Sequence, residues 1–153
     1  MFSKEELKEI KTNFWDGFKI HMKKKRGVGN RKINWINYPS EIKLIFVRLD
    51  ANHKSAKLCF DIQGKDDEIR KLIYEQMTEL KFVLESQINY PTSWDEELNI
   101  KDQTISRIYW ELKNVNFYDD SDKLKIYKFL EERLIEFDRF YSEYKDILIS
   151  LTD

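Results

Sequence analysis

The chain has 153 residues, 41% hydrophobic and 36% charged, with 22 aromatic side chains (ten Phe, eight Tyr, four Trp) but only two Pro and four Gly. That length suits one domain over 1–153 that buries about 70% of its unfolded surface without disulfides or a structural metal, and the aromatic content excludes intrinsic disorder. One cysteine and two histidines rule out a Cys-rich zinc site and an intramolecular disulfide, and the net charge is −1.

That near-neutral charge hides an asymmetry. Residues 1–60 carry 14 Lys and Arg against 6 Asp and Glu, whereas residues 61–153 carry 13 against 22, so the halves stand at +8 and −9. The asymmetry points either to an anionic partner for the basic half or to mutual neutralisation in the folded chain. Met1 leads into Phe2-Ser3-Lys4-Glu5-Glu6 without a secretory pattern, and no stretch reaches the roughly 18 apolar residues of a membrane span. A soluble, cytoplasmic protein with no membrane partner is expected.

Ser3 and Glu6 have the spacing of a capping box, flanked by Phe2 and Leu7 at hydrophobic-staple positions, and Leu7, Ile10, Phe14, Phe18 and Met22 continue as a helical stripe. This first helix runs into Lys23-Lys24-Lys25-Arg26 and ends at Gly27-Val28-Gly29-Asn30. Three strands are expected next, near 31–37, 41–51 and 55–63, with connections too short for parallel crossovers. In the third, Ala56, Leu58, Phe60 and Ile62 share one face and Lys57, Cys59, Asp61 and Gln63 the other. The second has Ile42, Leu44 and Phe46 on one side and Ile45, Val47 and Leu49 on the other, which predicts a central strand covered on both faces.

Gly64-Lys65-Asp66-Asp67-Glu68 opens a second helix whose stripe runs from Ile69 through Met77 and Leu84 to Ile88, ending at Asn89-Tyr90-Pro91. A hairpin follows, from Trp94 to Asn99, a turn near Lys101-Asp102-Gln103, and a long strand from Thr104 to Tyr118 with a bulge expected in its second half. The last helix starts at Ser121 or Asp122 and reaches Leu148, about 40 Å at 1.5 Å per residue. Its seam of Tyr127, Leu130, Leu134, Phe137, Tyr141, Tyr144 and Leu148 is too aromatic for a stable coiled-coil dimer and is expected to pack on the protein's own sheet. The sum is an α+β two-layer sandwich in the order α-β-β-β-α-β-β-α, with about five mostly antiparallel strands and three helices.

Several short segments carry a resemblance: Phe14-Trp15, Lys32-Ile33-Asn34-Trp35-Ile36-Asn37-Tyr38, Arg48-Leu49-Asp50-Ala51, Asp66-Asp67-Glu68-Ile69-Arg70, Glu75-Gln76 and Ser106-Arg107-Ile108-Tyr109. Together they resemble the bacterial domain-of-unknown-function family numbered 4268 over almost the whole chain. Members of that family stand alone or behind restriction-endonuclease-like modules, so the resemblance implies a DNA-linked or defence context. It supplies no active site.

Two groups of residues are candidates for function. Lys23, Lys24, Lys25, Arg26, Arg31 and Lys32 put six cations within ten residues, preceded by Lys19 and His21, a pattern that follows a phosphate backbone, with Trp35 or Tyr38 available for stacking. The competing reading is a solvated helix end whose lysines favour the negative end of the helix dipole. The second group is Asp50, Asp61, Gln63 and Lys65, which resembles a degenerate restriction-endonuclease-like catalytic set. There carboxylates would hold magnesium, Gln63 stands where a lysine is usual, and Lys65 would have to substitute for it. A Cys59 nucleophile paired with His21 or His53 lacks any surrounding motif, and Cys59 reads as a buried strand residue. Asp95-Glu96-Glu97 and Asp119-Asp120-Asp122 read as a turn-flanking surface and a helix start. No dinucleotide, P-loop, zincin or nucleophile-elbow signature is present, so no cofactor is expected outside the magnesium of the nuclease reading. The expected function is that of a binding or accessory domain with a nucleic-acid or protein partner, as a monomer or homodimer; the alternatives are the nuclease and a homodimeric structural protein.

Overall fold

The computed structural model describes residues 2–152. Helix α1 (Lys4–Met22) starts at the capping box: Ser3 Oγ accepts from the Glu6 N–H at 3.1 Å, and the Glu6 carboxylate accepts from the Ser3 N–H at 3.3 Å. Two of the helix's unpaired N-terminal donors are thereby satisfied. Phe14, Phe18 and Met22 of its stripe are buried.

The segment 31–37 is not a strand. A single 3₁₀ turn at Val28–Asn30, just before it, and one antiparallel bridge between Arg26 and Lys32 are the regular features here, and side chains hold the rest. Asn34 Oδ1 accepts from the Asn37 N–H, the Trp35 indole N–H donates to the Lys25 carbonyl, and the Tyr38 hydroxyl donates to Asp138. Glu41 then takes a left-handed φ of 65°, so the chain turns before the next strand instead of extending through 41–51. Strand β1 (Ile45–Ala51) and strand β2 (Ser55–Ile62) form the first hairpin.

Asp66 caps α2 (Asp67–Glu79) by accepting from the Glu68 and Ile69 N–H groups. The expected single second helix is interrupted at Leu80, whose φ and ψ of −91° and 5° leave the helical range, and it resumes as α3 (Lys81–Gln87). Strand β3 (Ser93–Ile100) and strand β4 (Gln103–Lys113) pair through a two-residue turn in which Lys101 and Asp102 both have positive φ, the geometry that matches the natural twist of a hairpin. The irregularity lies in β3, between Asp95 and Leu98, and not in β4. β4 stops at Lys113 because Asn114 turns to a φ of 62°. Beyond it, the Val115 and Phe117 N–H groups bond the Lys54 and Asn52 carbonyls of the first hairpin. The last helix, α4 (Asp120–Thr152), has 33 residues and is about 50 Å long.

The sheet has four strands in the order β1-β2-β4-β3, every neighbouring pair antiparallel. The fold is therefore α+β with four strands and four helices, against the five and three expected. β1 is an edge strand, not a central one, since Ile42 and Leu44 precede it and only its Ile45, Val47 and Ala51 side is buried.

One face of the sheet packs on α4 and α2. Phe60 of β2 and Trp110 of β4 meet Phe137 and Tyr141 of α4, whose rings stack at 5.3 Å. The aromatic seam of α4 is thus buried against its own chain, as its composition predicts. α1 lies on α4 through Phe14, Phe18 and Tyr127, and the Tyr127 hydroxyl donates to the Phe14 carbonyl at 2.5 Å. The other sheet face carries Phe46 and Arg48 of β1, Lys57, Cys59 and Asp61 of β2, and Arg107, Tyr109 and Glu111 of β4, by the register of the ladders. Among the described residues, no helix packs on it. No helix among the described residues is long and apolar enough to cross a membrane.

The β3 irregularity has a buried anchor. Arg70 of α2, 2% exposed, donates to the Glu96 carbonyl and to Ser106 Oγ, both at 2.8 Å. Arg70→Ala removes both charge-assisted bonds and is expected to lower the unfolding free energy in urea by about 3 kcal/mol. Arg70→Lys should recover only part of that, since one ammonium does not reproduce the guanidinium fork.

Candidate functional site

The basic segment is built on Asp138 of α4, which is 1% exposed. Its Oδ2 accepts from the Val28 N–H at 2.8 Å, while Oδ1 accepts from Arg31 Nη2 at 3.1 Å and the Tyr38 hydroxyl at 2.5 Å. Arg31 continues to the Val28 carbonyl and Ser142 Oγ. Gly27 sits so close that a Cβ there would fall 2.7 Å from Asp138 Oδ2 and 2.1 Å from the end of Ile33. Burial, followed by the bond to Asp138, raises the Tyr38 hydroxyl well above its ordinary pKa of 10.

This divides the six expected cations. Arg31 is a structural tie to α4, and Lys25 pairs with Glu131 at 3.4 Å, beside a His21–Glu131 contact of 2.6 Å. Lys23, Lys24, Arg26 and Lys32 are exposed and make no ion pair among the described residues; Lys19 is in the same state. Lys19, Lys23, Lys25 and Lys32 stand around a cavity of about 400 Å³ whose apolar lining includes Met22, Ile33, Trp35 and Ile36. Neither aromatic offers the open platform expected from the sequence. Trp35 is 4% exposed with its N–H engaged, so it acts as a cavity wall, and Tyr38 is 7% exposed and held by Asp138.

The carboxylates of the second candidate do not converge. Asp50 stands opposite Lys57, four residues along β2 from Asp61, a separation of about 13 Å at strand rise. Asp61 is fully buried, and arginines hold both of its oxygens: Arg107 Nε and Nη2 at 2.7 and 2.9 Å, and Arg48 Nη1 at 2.8 Å. Its hydrogen bond raises the Arg107 guanidinium further above its ordinary pKa. Gln63 joins this cluster, its Oε1 accepting from Arg48 Nη1 at 2.8 Å. Lys65 lies exposed in the bend after β2 and bonds neither acid. Among the described residues, no three His, Cys, Asp or Glu side chains stand together as a metal-binding group.

Cys59 is 1% exposed. Burial pushes its thiol up to about 12, and His21, engaged by Glu131 on the α1–α4 side, is not its partner. The nucleophile pairing is therefore not formed with His21, and no hydrogen bond joins Cys59 to His53 among the described residues.

Sequence reasoning missed Asp138 and the Arg48–Asp61–Arg107 cluster. The signal for the first was an acid on the apolar stripe of the last helix, four residues after Leu134 and beside Phe137. The second needed the strand register, which sets Arg107 beside Asp61 and Arg48 beside Cys59.

An α+β sandwich with a helix-free sheet face and a lysine-ringed cavity at the end of its first helix defines the class of protein. A family model described as Domain of unknown function (DUF4268) matches residues 10–145, and the chain belongs to that family. No curated protein and no solved structure matches it.

Two outcomes follow from these geometries. Asp138→Ala strands the Val28 N–H and the Tyr38 hydroxyl; at about 1–3 kcal/mol for each buried group left unpaired, roughly 3 kcal/mol of stability should be lost, with faster amide exchange over residues 26–38. Native Cys59 should resist a disulfide reagent at pH 8 and react once urea unfolds the chain. The raised thiol pKa also sets a sign: the unfolded thiol ionises first, so its contribution to stability falls as pH rises from its ordinary 9.0 towards about 12.

Proposed function

We propose that the protein is a nucleic-acid-binding accessory domain that takes a single-stranded segment at the basic end of α1. The observation that carries this reading is the apolar cavity of about 400 Å³ ringed by lysines, with Lys19, Lys23, Lys24, Arg26 and Lys32 free of ion pairs among the described residues. Cations that only neutralise the acidic half of the chain would not need such a cavity. A solvated helix end would not need apolar walls.

Phosphates would run along Lys23, Lys24, Arg26 and Lys32, releasing counterions as they bind. A base would enter between Ile33, Ile36 and the Trp35 edge, within the size range of small-ligand pockets. A paired base is stacked inside its duplex and cannot enter, which favours single strands or loops. The restriction-endonuclease-like neighbours implied by the family resemblance fit this role. The nuclease reading has less support, because Asp50 stands apart from Asp61 and arginines occupy both Asp61 oxygens.

Fluorescence anisotropy with labelled single- and double-stranded DNA and RNA tests the reading, with a cleavage gel run in magnesium alongside. Four phosphate contacts on a single strand predict an affinity loss of roughly 50-fold between about 50 and 200 mM salt. The Lys23→Ala, Lys24→Ala, Lys32→Ala triple variant should bind weakly and with a salt slope shallower by about two. Salt-insensitive binding, or a triple variant that binds like the parent, sinks the proposal.

A further inference from the structure

The Arg48–Asp61–Arg107 cluster is more than a buried ion pair, because one carboxylate faces two guanidinium groups. Asp61 is fully buried, while the Arg48 and Arg107 side chains are 40% and 17% exposed. The carboxylate accordingly lies beneath the two cations, and the solvent side of the cluster is positive. We propose that this helix-free sheet face holds a binding site for a small molecule bearing a phosphate or carboxylate group, separate from the basic cavity at the end of α1.

The donors available to such a ligand can be named. Among the described residues, Arg107 uses Nε and Nη2 on Asp61 and leaves Nη1 without a protein acceptor; Arg48 uses Nη1 on Asp61 and Gln63 and leaves Nε and Nη2. Because Gln63 turns Oε1 toward Arg48, its amide N–H₂ group is left to donate elsewhere. Both arginines line a cavity of about 370 Å³ together with Gln63, Gln103 and Lys101, over Ile105, which is 3% exposed. Lys101 adds a second net positive charge from the hairpin turn.

Preorganisation supports binding here. Asp61 holds Arg107 in a two-bond fork, and the Arg48 guanidinium lies 4.5 Å over the Phe46 ring, so neither cation must be immobilised on ligand binding. The planar forks of arginine match the oxygens of phosphate and carboxylate. A long polyanion is disfavoured: Asp95 of β3 stands opposite Arg107 in the ladder, with Glu96 and Glu97 following. A compact ligand avoids that acidic edge.

The test is a ¹⁵N-resolved NMR titration of the full chain with inorganic phosphate, adenosine 5′-monophosphate and succinate, following arginine Nε and glutamine side-chain amide signals. Saturating shifts at Arg48, Gln63 and Gln103 with at least one probe are expected. Tighter binding of the phosphates assigns a phosphoryl ligand, and tighter binding of succinate a carboxylate. Arg48→Gln leaves the Asp61–Arg107 fork in place and should weaken binding about ten- to hundredfold. Lys101→Asn, which suits the positive φ of the turn, should weaken it in the same direction, and unchanged backbone spectra confirm that both variants fold. No saturating shift from any probe up to about 10 mM, shifts confined to the α1 cavity, or an unaltered Arg48→Gln affinity overturns the proposal.

Discussion

The burial of Asp138 is the constraint on which the irregular connection between α1 and β1 depends. A carboxylate taken from water is costly unless its oxygens are matched by donors. Here the donors come from the Val28 backbone, Arg31, Tyr38 and Ser142. The long connection from α1 to β1 has no ladder and only one 3₁₀ turn, so this acid supplies what secondary structure supplies elsewhere. Because Asp138 sits on the rigid α4, between the buried Phe137 and Phe140, the connection takes its position from the core. Ile33, Trp35 and Ile36, three of the apolar walls of the lysine-ringed cavity, belong to that same connection. Its shape is therefore set by a residue that does not line it.

Asp61 does for the sheet what Asp138 does for the connection. Each is an acid nearly or wholly inaccessible to solvent, and each fixes a partly exposed arginine in place. The outcomes differ because of what surrounds the arginines. Arg31 reaches from the Val28 carbonyl to Asp138 and Ser142 of α4, so it ties the connection to the helix. Arg48 and Arg107, each with a donor that meets no protein acceptor among the described residues, flank a cavity. A buried acid whose arginine bridges two elements is architecture, whereas one whose arginines line a cavity presents a positive surface of fixed geometry.

What could be read from the sequence was local. The Ser3–Glu6 box, the Asp66 cap, both hairpins and the apolar seam of α4 depend on residues close in the chain, and all are present. The failures share another cause. Ile33 and Trp35 alternate as a strand would, but tethers to Lys25 and Asp138, 10 and 100 residues away along the chain, decide that segment. Ile42 and Leu44 made β1 look central until the positive φ of Glu41 removed them from the strand. Leu80 breaks the second helix without proline or glycine to mark it. The charged cluster on the open face was invisible for a simpler reason: Arg48, Asp61 and Arg107 lie on three strands, and only register brings them together.

The opposite charges of the two halves also find a physical account. Mutual neutralisation is real but partial: Lys25, Arg31, Arg48 and Lys57 of the basic half each pair with an acid of the second half. Two of those acids, Asp138 and Asp61, are buried, so their charge is committed to the groups that cover them. Many others stand elsewhere, on the β3 edge at Asp95–Glu97 and at the start of α4 from Asp119 to Asp122. Screening in physiological salt has a length of about 8 Å, so exposed acids separated from the lysines by more than that do little to cancel their field. A chain of net charge −1 can in this way keep two separate cationic surfaces, because electrostatic recognition depends on where charges lie more than on their sum.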